Sequence, residues 1–144
     1  MSASRPPHIL AIDDEPDLRP LFADILEAEG YVVTLAGRPL PIAEIVRARP
    51  DLILLDLVID RSPIGWAYLD ELAVEQRTRD IPVVICSAAA SEVGEHVDTL
   101  RRLGVDVVLK PFDLEVLLDA ISRRLSVAAD AGASPRRRSS LGAD

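Results

Sequence analysis

Three acids follow directly on an apolar run in "HILAIDDEP", where Ile9 to Ile12 lead into Asp13, Asp14 and Glu15. A second apolar run, "DLILLDL", reaches Asp56. A third, "IPVVICSA", carries Ser87, and a fourth, "VDVVLKP", ends on Lys110 and Pro111. Acids at a helix N-terminus complement the macrodipole, which accounts for one or two of the first group but not for the recurrence at Asp56. Brought to one edge, three carboxylates repel one another unless a cation joins them. The set offers only hard oxygen donors, with no His or Cys, so the expected ion is Mg²⁺ or a close analogue. Mg²⁺ takes one or two carboxylates and leaves room for phosphate oxygens. The Lys110 ammonium and the Ser87 hydroxyl would neutralise and hold the rest of a phosphoryl group, an arrangement suited to in-line phosphoryl transfer. Asp56, flanked by apolar residues, is the best nucleophile candidate.

Such residues meet only if the elements carrying them end at one edge. "HILAI" is short and apolar, and Leu18 to Glu29 repeats apolar residues at helical spacing until Gly30. "YVVTL" predicts a strand and Ile42 to Ala48 a short helix. "DLILLDLVI" has the unbroken apolarity of a strand covered on both faces. The cycle repeats with a helix over Trp66 to Val74, the strand "IPVVICSA", a helix over Glu92 to Leu103, the strand "VDVVL" and a helix over Leu114 to Leu125. Five such units predict an α/β fold: a five-stranded parallel sheet, doubly wound and flavodoxin-like, (βα)5, with helices on both faces. Ligand chemistry in that architecture lies at the carboxyl ends of the strands. The expected organisation is an extension over 1–7, one domain over 8–127 and a disordered tail over 128–144, where the text is small, polar and aperiodic.

Composition narrows the partners. The net charge of −8 argues against direct contact with nucleic acid or an anionic membrane. No apolar run approaches a membrane span, and "MSASRPPHIL" has no signal-peptide core. A lone cysteine, Cys86, excludes disulfides and fits a reducing cytoplasm. Of sixteen basic residues only Lys110 is a lysine, a hint that its position needs a compact ammonium. His8 and His96 read as surface residues, so a phosphohistidine would have to come from a partner.

The elements "IDDEPDL", "PDLILLDL", Gly65, "PVVICSA" and "GVDVVLKPFD", in this order, resemble the receiver domains of two-component response regulators over residues 8–127. The resemblance implies that Asp56 accepts the phosphoryl group. Asp14, Asp56 and the Val58 carbonyl would bind Mg²⁺ directly, and Asp13 through a water. Ser87 would hydrogen-bond the phosphoryl group, Lys110 would pair with it, and the Lys110–Pro111 peptide would be cis. The donor would be a sensor histidine kinase or a histidine phosphotransfer protein. Output would go to a downstream protein through the fourth helix, fifth strand and fifth helix, from a monomer or weak homodimer using that face. On this reading the chain is a stand-alone receiver and no classical enzyme, catalysing only its own phosphorylation and dephosphorylation.

Three departures from the family pattern matter. "LVIDRSPIGW" places Asp60 where proline is expected and Gly65 one residue late, so the loop after Asp56 should be longer and differently shaped. Val107 stands where an aromatic switch residue is common, so a relay from Ser87 to an aromatic ring is absent or altered. Val58 and Ala89, beside the phosphoryl group, are apolar and cannot position an attacking water. Two rivals follow. One is a degenerate receiver acting as a phosphorylation-independent binding module. The other is a haloacid-dehalogenase-type phosphatase, which would want an Asp where Val58 stands.

Overall fold

The computed structural model describes residues 5–88 and 94–133 of the 144-residue chain. Its strands are β1 (His8–Ile12), β2 (Val32–Ala36), β3 (Leu52–Leu55), β4 (Val83–Ser87) and β5 (Asp106–Leu109). The helices are α1 (Leu18–Ala28), α2 (Ile42–Ala48), α3 (Ile64–Val74), α4 (Val97–Leu103) and α5 (Leu114–Ala133). The five strands form one sheet in the order β2-β1-β3-β4-β5, with every pairing parallel. The predicted doubly wound α/β architecture is therefore the one observed.

Alternation along the strands explains why both faces need helices. Leu10, Ile12, Ile53, Leu55, Val83 and Ile85 point into one core with Ile45 of α2, Tyr68, Leu69 and Leu72 of α3 and Leu100 of α4. Ile9, Ala11, Leu52, Leu54, Val84 and Cys86 point into the other, against Phe22 and Leu26 of α1 and Leu117, Ala120 and Ile121 of α5. Each fully buried aliphatic side chain contributes roughly 1.5–3 kcal/mol, so an unbroken apolar strand between two helical layers is the stable solution. Cys86 belongs to the second core; burial pushes its thiol up to about 12.

The chain leaves β1 for β2 on one side and returns to β3 on the other. β1 and β3 are neighbours at this reversal, so the loops after them diverge and open a crevice at their carboxyl ends. Asp13 and Asp56 stand there.

The helix limits differ from expectation most at the start of α3 and the end of α5. α3 begins at Ile64, two residues before Trp66. The expected start of the fourth helix at Glu92 lies outside the described residues, as does Ala89. α5 runs to Ala133, well past Leu125 and into the stretch expected to be disordered. That stretch lacks apolar periodicity but is rich in alanine, the best helix former, and a helix already nucleated by Leu114–Leu125 propagates through it. Residues 134–144 of the expected tail lie outside the described residues. His96 is exposed as expected, but His8 is half-buried: a strand residue, it sets its ring Nε2 2.7 Å from Thr34 Oγ1 on β2.

Candidate phosphoryl-transfer site

At the end of β1, Asp13 is 1 % exposed and Asp56, just past β3, is 5 % exposed. Two buried carboxylates this close need a counter-charge, and the Lys110 ammonium provides it. Its Nζ lies 2.7 Å from Asp13 Oδ2, 3.2 Å from Asp56 Oδ2 and 2.8 Å from Glu15 Oε1. Burial alone would depress the lysine, but hydrogen bonds to Asp13 and Glu15 and the charges of Asp13 and Asp56 outweigh it and hold the ammonium well above its ordinary range. Lys110 itself is held by backbone: its N–H donates to Ser87 O at 2.9 Å, and its peptide to Pro111 is cis, as the resemblance implies.

Each carboxylate has a second tether. Asp13 Oδ1 accepts the Glu15 N–H at 2.9 Å, and Asp56 Oδ1 accepts the Val58 N–H at 3.2 Å. Burial raises the Asp56 carboxyl above its ordinary value. Lys110 and the Val58 amide pull it down, and the Asp13 charge pushes it up again. Asp14, half-buried, takes a different partner: its Oδ2 accepts the Asp60 N–H at 2.7 Å.

Gly65 closes the floor. Its N–H donates to Leu57 O at 3.0 Å, and a Cβ added there would run into the Asp56 carbonyl and the Leu57 backbone. Only glycine lets the first turn of α3 approach the acceptor strand so closely. Trp66, next in sequence, stacks its ring 4.7 Å from His96, tilted by 42°, at the entry to α4. Val107 packs against the first core, where an aliphatic side chain stands at the position of the family's aromatic switch.

The predicted residues therefore converge, with one exception. Asp13, Asp56 and Lys110 meet, Val58 contacts Asp56, and Ser87 lies fully buried at the end of the strand beside Lys110. Asp14, expected to share an ion with Asp56, is not in the tightest acidic group. Among the described residues that group is Asp13, Glu15 and Asp56, with one oxygen from each within 4.8 Å of the others. Asp14 is held instead at the edge of this group, on the Asp60 amide of the loop after β3. Glu15 was visible in the acidic run, but an exposed acid at a helix entrance carries no mark of its partner. The donor set is all oxygen, dense in negative charge and partly buried, which fits Mg²⁺.

The chain matches the response regulator receiver domain model over residues 9–122. It is 34% identical over 118 residues to the nitrogen assimilation regulatory protein NtrX of Azorhizobium caulinodans, covering 81% of this chain and 26% of that protein. It is 33% identical over 128 residues to the phosphate regulon transcriptional regulatory protein PhoB of Escherichia coli, covering 84% and 54%. A crystal structure described as a sensor protein from Polaromonas sp. JS666 superimposes with a TM-score of 0.72 at 30% identity, covering 85% of this chain and 98% of that one. The chain spans from about a quarter to about half the length of the curated relatives it matches. One of them, from Synechocystis, is a DNA-binding transcriptional regulator, so the expectation of no nucleic-acid partner applies to the shared portion alone. No described helix is long and apolar enough to cross a membrane.

Proposed function

The chain belongs to the response regulator receiver domain family, and from that premise we propose that Asp56 accepts a phosphoryl group from a histidine kinase or a histidine phosphotransfer protein. The observation that carries the proposal is the convergence of β1, β3 and β5 on one ammonium, 2.7 Å from Asp13 and 3.2 Å from Asp56. An Asp56 carboxylate oxygen attacks the phosphorus, the bond from phosphorus to the donor nitrogen breaks, and the leaving imidazole takes up a proton. Lys110 sits where negative charge accumulates on the phosphoryl oxygens, and the Ser87 hydroxyl donates a hydrogen bond to one of them. Burial raises the carboxyl of Asp56, while Lys110 and the Val58 amide keep it oriented. Asp14, Asp56 and the Val58 carbonyl would hold Mg²⁺, with Asp13 acting through a water. The ion supplies charge neutralisation for the transferred group. Glu15, on Lys110, joins the acidic set.

In this reading the protein is a stand-alone, cytoplasmic receiver that acts through protein contacts of α4, β5 and α5, or passes the phosphoryl group on. It is a monomer or a weak homodimer through that face. A second reading, a phosphorylation-independent binding module, is favoured by Val107, which removes the aromatic switch.

The deciding experiment is intact-protein mass after incubation with acetyl phosphate, with and without Mg²⁺, on wild type and Asp56→Asn. A Mg²⁺-dependent gain of about 80 Da that Asp56→Asn loses establishes acceptor and ion dependence together. No gain from acetyl phosphate or from a histidine phosphotransfer donor leaves the binding module.

A further inference from the structure

The segment between Asp56 and α3 folds into something tighter than a loop. Ile59 and Ser62 exchange two backbone hydrogen bonds of 2.9 and 3.0 Å, and the two residues between them, Asp60 and Arg61, have φ of 53° and 62°. Two consecutive left-handed residues inside a bridged pair make a type I′ hairpin, a turn that ordinarily recruits Asn-Gly. Asp tolerates that backbone; Arg, with its Cβ near the following carbonyl, does not take it freely. Such a conformation persists where its surroundings hold it.

The surroundings here are the site itself. The Asp60 N–H donates to Asp14 Oδ2 at 2.7 Å, and the Asp60 carboxylate stands 3.6 Å from Arg38 Nη2. Ile59, at the root of the turn, is fully buried in the first core. Val58, one residue earlier, donates its N–H to Asp56 Oδ1. The hairpin thus reaches two of the three groups assigned above as direct ligands through backbone: Asp14 by its tip and Val58 by its root.

We propose that the Ile59–Ser62 hairpin is a preorganising clamp for the cation site, with Asp60 as a positioning residue whose backbone amide fixes Asp14. The inference rests on the phosphotransfer reading and deepens it. An N–H on one carboxylate oxygen restrains the side chain and leaves the other oxygen for the ion, as outer-shell partners do in metal sites generally. The clamp also gives the late arrival of Gly65 a purpose: the added residue completes a two-residue turn that reaches across to the β1 acid.

The test is a calorimetric Mg²⁺ titration of the full chain, with melting temperatures recorded with and without Mg²⁺. Arg61→Gly keeps the amide and accepts positive φ, so it binds Mg²⁺ as wild type does. Arg61→Val, β-branched at a left-handed position, weakens binding roughly fivefold relative to Arg61→Gly. Asp60→Pro, which lacks the donor and cannot adopt the turn, weakens it by about tenfold or more. The melting-temperature gain from Mg²⁺ shrinks in the same order, by mass action. If Asp60→Pro does not fold, Arg61→Val against Arg61→Gly decides. Affinities within about twofold of wild type in Arg61→Val and any folded Asp60→Pro overturn the clamp while leaving the phosphotransfer reading intact. No Mg²⁺ binding to wild type overturns both.

Discussion

Replacing Gly65 by alanine sets two effects of opposite sign against each other. Alanine favours the first turn of α3 by about 1 kcal/mol over glycine. The new methyl, however, would lie against the Asp56 carbonyl, 2.5 Å from Leu57 Cα and 2.7 Å from the Leu57 carbonyl carbon. All three neighbours are backbone, so no rotamer change relieves them, and ordinary carbon contacts near 3.5–4 Å require the two segments to part by about 1 Å. Overpacking of this kind costs about 1–3 kcal/mol, and the absence of any flexible partner puts Gly65→Ala at the upper end. The expected net loss is about 2 kcal/mol, read from the urea midpoint at unchanged m. The displaced segment carries the acceptor, and a misplacement of about 1 Å costs on the order of 100-fold in rate. Phosphorylation from acetyl phosphate at saturating Mg²⁺, followed by intact mass, reads that term. Gly94→Ala is the internal control, since a Cβ there meets nothing within 4 Å. Wild-type stability together with a wild-type phosphorylation rate in Gly65→Ala would refute the close approach of α3 to the acceptor strand.

Two further outcomes follow from the buried charges. The carboxyl of Asp56 is raised in the folded state, chiefly by burial, so its ionisation opposes folding: stability is greatest below the ordinary value of 3.8 and falls as pH rises through the folded value. Asp56→Asn should therefore be more stable than wild type at neutral pH, with the gain disappearing at acid pH. Denaturant melts at several pH values check this, and a less stable Asp56→Asn at pH 7 contradicts it. Lys110→Met leaves Asp13 and Asp56 buried against each other without their ammonium, at a cost of about 3 kcal/mol at neutral pH. Adding Asp56→Asn to Lys110→Met should recover part of that loss, and a double mutant no more stable than Lys110→Met alone would show that the two carboxylates do not share the lysine.

The fold was legible because its physics is periodic. "LILL" and "VVICS" are apolar on both faces, and the structure buries every residue of both strands. The α2 limits, Ile42 and Ala48, also match expectation, set by Pro41 at one end and the break at Arg49 and Pro50 at the other. β2 is half-exposed, as an edge strand must be, and nothing in "YVVTL" distinguishes an edge from a centre. The α5 limit is not legible because the stretch past Leu125 has no apolar pattern, although a helix continues through its alanines. At the site, the convergence of Asp13, Asp56 and Lys110 could be read because each ends a strand of one parallel sheet. What could not be read depends on single hydrogen bonds. The Asp60 amide on Asp14 and the Glu15 carboxylate on Lys110 leave no periodic trace, and left-handed backbone at Arg61 runs against its residue type.

Cys86 gives the protein a chemical clock for its own opening. Thiol reagents consume the thiolate, and a thiol pushed up to about 12 is ionised in only ~10⁻⁴ of molecules at pH 8, besides lying under α1 and α5. The helical layer of α1 and α5 covers it, so reagent reaches the sulfur when that layer lifts from the sheet. The rate at which a disulfide reagent is consumed therefore counts excursions of the central sheet out of its native packing, from a single natural sulfur and without an inserted label. Because Cys86 adjoins Ser87 in β4 and lies within reach of the charges of Lys110, Asp13 and Asp56, the same count taken before and after phosphoryl loading would register how far events at the strand ends propagate into the sheet.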